Sequence, residues 1–293
     1  MTSPNSPSLA IGLRILSGLL FAGMLVCVKA VSADVSLGEI VFFRSAFALI
    51  PLVIFLWIRR EFPSGLATKR PMAHILRASF GAFALFAAFA AIAQLNLAEA
   101  VLVAQLSPIL MALCAVVFLS ERLTGWRVGG LALGFAGVVV LVWPELGGQD
   151  TNPGRLWGFA IGVAGAALSA CALIMVRSLN TTESPGAIAF YFALASMIGG
   201  LVTLPWGWMQ PDGWTWVLLI GAGLFGGVAH IAMTLAFRYA EASRIAPFEY
   251  LALLWPVLAD LLIFDVTLSS SFVLALPLVL GGAALAAAEK HKP

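Results

Sequence analysis

Charge is what this chain most conspicuously lacks. Only 10% of its 293 residues are Asp, Glu, Lys or Arg, while 61% are hydrophobic and the mean hydropathy is +1.02. Soluble domains carry about 25% charged residues, so a water-soluble globular protein is excluded. The net charge is only +2 and the bases are spread thinly, which excludes a nucleic-acid-binding patch. Cysteine is also sparse. Cys27, Cys114 and Cys171 all lie inside apolar runs and form no CxxC pair, so they read as small packing residues rather than as disulfides or metal ligands. The only histidines are His74, His230 and His291, and HExxH, GxSxG, GxGD and GxxxxGK[ST] are all missing. Hydrolytic chemistry within the membrane and ATP-driven pumping are therefore not expected, and no cofactor or metal is implied.

Long apolar runs are what is present. They are about 20 residues long, the length that crosses a hydrocarbon core of roughly 30 Å as a helix. Breaks at Pro, Gly and charged residues predict ten transmembrane helices, over 10–31, 38–58, 73–93, 99–119, 127–143, 156–177, 186–206, 214–237, 245–264 and 270–288. The N-terminal stretch has no basic region and no small-residue cleavage site before the first run ends, so a retained helix is expected rather than a signal peptide. With both termini cytoplasmic, 13 of the 16 Lys and Arg fall inside, Arg77 among them. Lys29 and Arg155 fall outside, and Arg44 lies within the second span. That asymmetry sets the expected orientation. Trp143, Trp157, Trp206, Trp208, Trp214 and Trp216 gather near the outer interface in this frame, and Trp57 and Trp126 near the inner one, as an aromatic belt does.

The chain also repeats itself. "VKAVSADVSLGEIVFF" (28–43) aligns without a gap with "VRSLNTTESPGAIAFY" (176–191), matching Lys29 to Arg177 and Gly38 to Gly186. "AEA" at 98–100 recurs at 240–242. Two five-helix units are expected, 1–145 and 146–293. Because five is odd, the second enters the membrane from the opposite side. Inverted repeats of this kind place substrate near the midplane between the halves and support alternating access. A channel would instead show a ring of charge or carbonyls, and none is legible.

Polar residues inside the runs are the site candidates. In "PFEYLALLWPVLADLLIFD" (247–265), Glu249, Pro256 and Asp260 fall within about 20° of one helix face. Either that stripe faces a wet cavity, or Asp260 sits at the outer interface and Glu249 pairs with Arg238 or Arg244. At the repeat-related place in the fourth span stands Gln105, followed by Ser107 and Pro108. Pro108 and Pro256 are the hinge candidates. Tyr250, Trp255, Phe83 and Phe86 would supply aromatic surface for a substrate, or would simply pack. His230 is either a proton relay, since imidazole titrates near neutral pH, or a neutral core histidine. Gln94 and Asn96 would bind substrate or cap a helix. Arg44 is expected to pair with Glu39, Asp34 or Glu99 across the outer vestibule, or to snorkel outward, and Glu121 to pair with Arg122 or Arg127. Gly130/Gly134, Gly158/Gly162 and Gly223/Gly227, with Ala84/Ala88, mark close helix contacts. A single bundle uses such contacts as readily as a dimer does, so a monomer is expected. The expected partners are the lipid bilayer and a small-molecule substrate, with no nucleic acid.

Several stretches together resemble the drug/metabolite transporter superfamily, EamA type. They are "IVFFRSAFALIPL" in the second span, "LSPILMALCAVVFLSERLTGWRVGGLALGFAGVVVLV" over the fourth and fifth, and "YAEASRIAPFEYLALLWPVLADLLIFD" over the eighth and ninth. The matched residues are Arg44, Pro108, Glu121 and Gly137, then Ala242, Pro247 and Tyr250. The pattern departs at "FDVTLS", where Asp265 stands for the family's usual glutamate. The resemblance implies a secondary transporter of small metabolites in a bacterial inner membrane. The chain looks most like exporters of aromatic amino acids, with an S-adenosylmethionine or broader amino-acid and drug carrier as the alternative.

Overall fold

The computed structural model describes residues 7–119, 125–147, 152–180, 182–239 and 253–287. Eleven α-helices cover these residues, and no strand occurs among them: α1 (Pro7–Val31), α2 (Leu37–Ile58), α3 (Pro71–Gln94), α4 (Leu97–Ala104), α5 (Leu106–Leu119), α6 (Gly125–Gly147), α7 (Pro153–Leu179), α8 (Pro185–Val202), α9 (Gly213–Tyr239), α10 (Leu254–Leu262) and α11 (Ser270–Ala287). Seven of the described helices (α1, α2, α3, α6, α7, α8 and α9) are long and apolar enough to cross a membrane. Local chemistry sets many of the boundaries. Prolines occupy the first turns of α3, α7 and α8, where the N–H they lack has no intrahelical partner anyway. The Ser184 hydroxyl accepts from the Ala187 N–H, and Asp212 from the Thr215 N–H, satisfying orphan donors at helix starts.

The expected fourth span is not one helix. It breaks at Gln105 into α4 and α5. Pro108 explains the break, because its missing N–H is the one that would bond the carbonyl of Ala104. The other hinge candidate, Pro256, instead lies in the first turn of α10, where proline is well tolerated.

The helices pair in a definite pattern. α1 lies along α9 and α3 along α7, while α2 packs on α8 and α9, and α6 on α11. Small residues permit the closest approaches. A Cβ at Gly282 of α11 would stand 2.6 Å from the Gly134 nitrogen and 2.7 Å from the Gly130 carbonyl of α6. A Cβ at Gly200 of α8 would stand 2.6 Å from the Phe42 nitrogen of α2. Gly158 and Gly162 of α7 face Gln94, Leu95, Ala91 and Val103, and Gly223 and Gly227 of α9 face Phe47, Ala48 and Pro51. These glycines therefore serve contacts within the chain.

Direction follows from contacts near the helix ends. Lys29, near the end of α1, reaches carbonyls at the end of α3, and Gly154, at the start of α7, packs on Gln94. Arg70, just before α3, bonds Ser178 at the finish of α7. So α1 and α7 run in opposite senses, and positions 29 and 177 lie at opposite ends of the bundle. α1 begins and α11 finishes at one end, here the Arg70 end; the other is the Lys29 end.

The aromatic belt is only partly as expected. Trp57, Trp126, Trp143, Trp157, Trp206 and Trp214 are exposed on the outside of the bundle. Trp208 and Trp216 are half-buried against neighbouring side chains. Trp208 lies 5.1 Å from the Phe42 ring and donates to Thr203 Oγ1 at 3.0 Å, and Trp216 meets Phe43 edge-on at 4.7 Å.

Candidate functional site

Two polar regions are built into this apolar bundle. The first is at the Lys29 end, where the chain turns from α3 into α4 and leaves bare carbonyls and amides facing each other. Lys29 donates its ammonium to the Ile92 and Leu95 carbonyls, both at 2.8 Å, and so caps α3. Asp260, only 1% exposed on α10, accepts the Leu97 N–H at 3.1 Å and the Ala98 N–H at 2.8 Å, and so caps α4 from another part of the chain. Hydrogen bonds to a charged group contribute about 1.5–3 kcal/mol each, enough to hold a helix break in place. Glu99 in the first turn of α4 accepts the Asn96 N–H at 3.1 Å and pairs with Arg155 at 2.9 Å. Arg155 also meets Glu145 at 2.5 Å.

The second region lies at mid-depth. Gly226 is the fourteenth of the 27 residues of α9, and the Arg44 guanidinium of α2 rests against it. A Cβ at Gly226 would stand 3.2 Å from an Arg44 nitrogen and 2.8 Å from Met24 Sδ. Arg44 is 2% exposed, and its Nε–H donates only to the Met24 thioether, at 3.4 Å. One turn along α9, the His230 ring is held edge-on by Phe21 at 5.0 Å and faces Phe192 at 6.2 Å. Arg77 of α3 lies 4.6 Å over the Phe192 ring, while its Nε and Nη1 are shut off from solvent with no acceptor. Both arginines are close enough to act electrostatically on His230. Ser17 Oγ–H donates to the Ala229 carbonyl at 3.0 Å and fastens α1 to α9 beside this cluster. Three apolar helices, α2, α3 and α9, thus deliver two cations and an imidazole to one place, and α1 and α8 add aromatic surface around them.

A separate cavity of about 190 Å³ opens near the Lys29 end, lined by Ser32, Val35, Phe89, Ala90, Gln94 and Trp157 among others. Pockets that enclose a whole small ligand run to about 300 Å³ or more, so this one accommodates part of a metabolite.

Several sequence expectations change against this geometry. Arg44 does not pair with Glu39, Asp34 or Glu99. Five residues of helix place Glu39 about 140° around α2 from Arg44; Glu39 accepts from the Met209 N–H instead, and Glu99 takes Arg155. Arg77 is not an interfacial cytoplasmic charge but a half-buried one inside α3. Asp260 lies at the Lys29 end, the depth the interfacial alternative gave it, but it is a buried cap of α4 rather than a solvated carboxylate. Phe83 is 64% exposed on the α3 stripe that also exposes Met72 and Leu76, the face a spanning helix turns to lipid, so it is no part of an enclosed site. Phe86 is partly buried, and a Cβ at Gly199 of α8 would touch it at 3.4 Å.

Gln94 lines the cavity, and Asn96 is the N-cap of α4. Gln105 is half-buried at the break between α4 and α5, and the Ser107 hydroxyl is buried without a partner. Trp255 is half-buried with its indole N–H unpaired. His230 is in the mid-depth cluster. Glu249, Tyr250 and Glu121 lie outside the described residues, as does the alternative pairing of Glu249 with Arg244. Sequence reasoning did not assign the site roles of Arg44 and Arg77. The available signal was Arg77's place inside the predicted third span, since a charge within a span is functional by default.

The comparisons with known proteins agree with this architecture. Residues 8–143 match the EamA-like transporter family. The riboflavin transporter of Rhizobium johnstonii is 29% identical over 224 residues, covering 76% of this chain and 72% of its own. The S-adenosylmethionine uptake transporter of Rickettsia felis is 28% identical over 227 residues, covering 78% and 74%. The pseudopaline exporter of Pseudomonas aeruginosa is 29% identical over 250 residues, covering 83% of each. A solved structure described only as "Crystal structure of protein" aligns over 96% of this chain and 97% of its own with a TM-score of 0.65 at 22% identity, and so has the same fold.

Proposed function

We propose that this chain, whose residues 8–143 match the EamA-like transporter family, belongs to that family and is a secondary carrier that moves a small metabolite through a bacterial inner membrane by alternating access. The reading as a multi-pass membrane protein and small-molecule transporter is supported by that match, by seven helices long and apolar enough to cross a membrane, and by the names of the relatives. The observation that carries the finer reading is the convergence of α1, α2, α3, α8 and α9 on one charged cluster at mid-depth. A bundle with no need of passage would have no use for cations there.

Ten spans in two inverted units, 1–145 and 146–293, with both termini cytoplasmic, form the mechanical frame of this reading. Its support is the opposite sense of α1 and α7 and the pairing of α1 with α9 as α7 pairs with α3. A two-fold exchange of the units maps each pair onto the other, so two equivalent half-structures can trade conformations. Gln94, Gln105, Ser107, His230, Glu249, Tyr250 and Trp255 remain the proposed polar and aromatic lining, with the α4–α5 break at Pro108 as one hinge.

Amino acids, aromatic ones first, are the substrates we favour, with export as the direction. The mid-depth cluster supports this choice because it sets guanidinium groups beside phenyl rings. S-adenosylmethionine is the second reading, favoured by the relatives named for its uptake. The test is counterflow in reconstituted vesicles. Saturable uptake of labelled phenylalanine, driven by unlabelled substrate inside, is the expected result. Flux that never saturates would mean a channel, and no flux for any amino acid or S-adenosylmethionine would overturn the substrate assignment.

A further inference from the structure

We infer that Arg44 and Arg77 form an anion site, and that the substrate is a small aromatic molecule that must carry a carboxylate. This rests on the carrier reading above and names the chemical group that reading leaves open. Arginine stays charged in proteins, so the bundle holds two positive charges at mid-depth. Among the described residues, no carboxylate answers them. The carboxylates nearest in the same helices and their neighbours are already engaged: Glu39 with the Met209 N–H, Glu99 with Arg155 and Asp260 with two amides of α4 at the Lys29 end, and Glu183 with His74, one turn before Arg77, at the Arg70 end. What Arg44 and Arg77 do have is weak. Arg44 has a thioether, and Arg77 has a phenyl face, which supplies only cation–π attraction. The Nε–H and an Nη1–H of Arg77 are buried without acceptors. A carboxylate takes two N–H groups from one edge of a guanidinium in parallel; Nε and Nη1 of Arg77 belong to different edges, each paired with Nη2, so each of those edges has an unused donor. Phe192 contacts both Arg77 and His230, and Phe21 meets the imidazole at a right angle, 5.0 Å away. An aromatic ring in the substrate would find a stacking surface there.

The experiment uses the purified full-length protein in detergent micelles and reads its thermal unfolding. The probes are phenylacetate, L-phenylalanine, L-phenylalaninamide and inorganic phosphate. The two carboxylates are expected to raise Tm with a saturable dose dependence, and the amide is not. Phosphate raising Tm as the carboxylates do would mean a general anion site, and would overturn the requirement for an aromatic carboxylate. In Arg77→Gln and Arg44→Gln the half-saturating carboxylate concentration is expected to rise about tenfold or more, the scale of a lost charge-assisted hydrogen bond. Arg77→Lys, which keeps the charge but not the fork, should fall between. If acid and amide stabilise the wild type equally, or if no anion shifts Tm, the inference is overturned without any variant having to fold. The carrier reading is tested separately by counterflow. A protein that transports but does not distinguish acid from amide disproves the anion site alone.

Discussion

Two buried polar regions in one bundle obey opposite rules. At the Lys29 end, Lys29, Asp260, Glu99 and Arg155 each meet a helix terminus or an opposite charge within 3.1 Å. At mid-depth, Arg44 and Arg77 meet a sulfur atom and a phenyl ring. The first arrangement stabilises the fold, because its charges replace lost water contacts with protein ones. The second is a cost to the fold, since among the described residues these charges meet no opposite charge, and such a charge in an apolar interior loses hydration and gains little. Burial alone therefore does not separate scaffold from site in a membrane protein, whereas partnership does.

Mutations can break that contrast. The largest stability effect is expected from Asp260→Ala, which strands the Leu97 and Ala98 amides. Unfolding free energy should fall by about 2–4 kcal/mol, seen as a lower Tm in detergent, with Asp260→Asn losing less. Arg44→Met and Arg77→Met should behave oppositely. Transport in vesicles should drop by about ten- to a hundredfold, while Tm holds or rises because an uncompensated charge has gone. A Tm loss matching that of Asp260→Ala would put the arginines in the scaffold class.

Next comes the Glu99–Arg155 pair. A double-mutant cycle with Glu99→Gln and Arg155→Gln should give a coupling of about 1–2 kcal/mol, between the values for exposed and fully buried pairs.

The smallest effect belongs to the Arg70 end, in the loop joining α7 and α8. Burial pushes the Glu183 carboxyl up, but hydrogen bonds from Thr68, His74 and the Lys69 N–H outweigh it and hold it below the usual carboxylate range. This tie contributes above the ordinary carboxylate pKa and is lost as pH falls through the lowered value. Glu183→Gln should flatten the acid limb of a Tm-against-pH curve and change little near neutral pH.

Much of the bundle was readable before any coordinates. The predicted spans over 10–31, 38–58, 73–93, 186–206 and 214–237 fall on α1, α2, α3, α8 and α9 within a few residues, since each is set by its own apolar length and its own caps. The glycine pairs also announced close contacts that the bundle makes. Pro108 was legible as a hinge, though not the complete break it produces. Partners were not legible. Three acids, Glu39, Asp34 and Glu99, were candidates for Arg44, and it joins none of them. For Asp260 the sequence offered a wet cavity or the outer interface but no cap, because the amides it meets lie more than 160 residues away.

By itself, then, the sequence determined that this protein lives in a bilayer, roughly where its helices begin and end, and which transporter lineage it resembles. Those properties depend on local runs, in which each residue answers to its neighbours in the chain and to lipid. Only the tertiary structure decided which charges are neutralised and which are left waiting. Electrostatic pairing depends on the helix lying across a few ångströms of space, and packing of small residues, not proximity along the chain, chooses that helix.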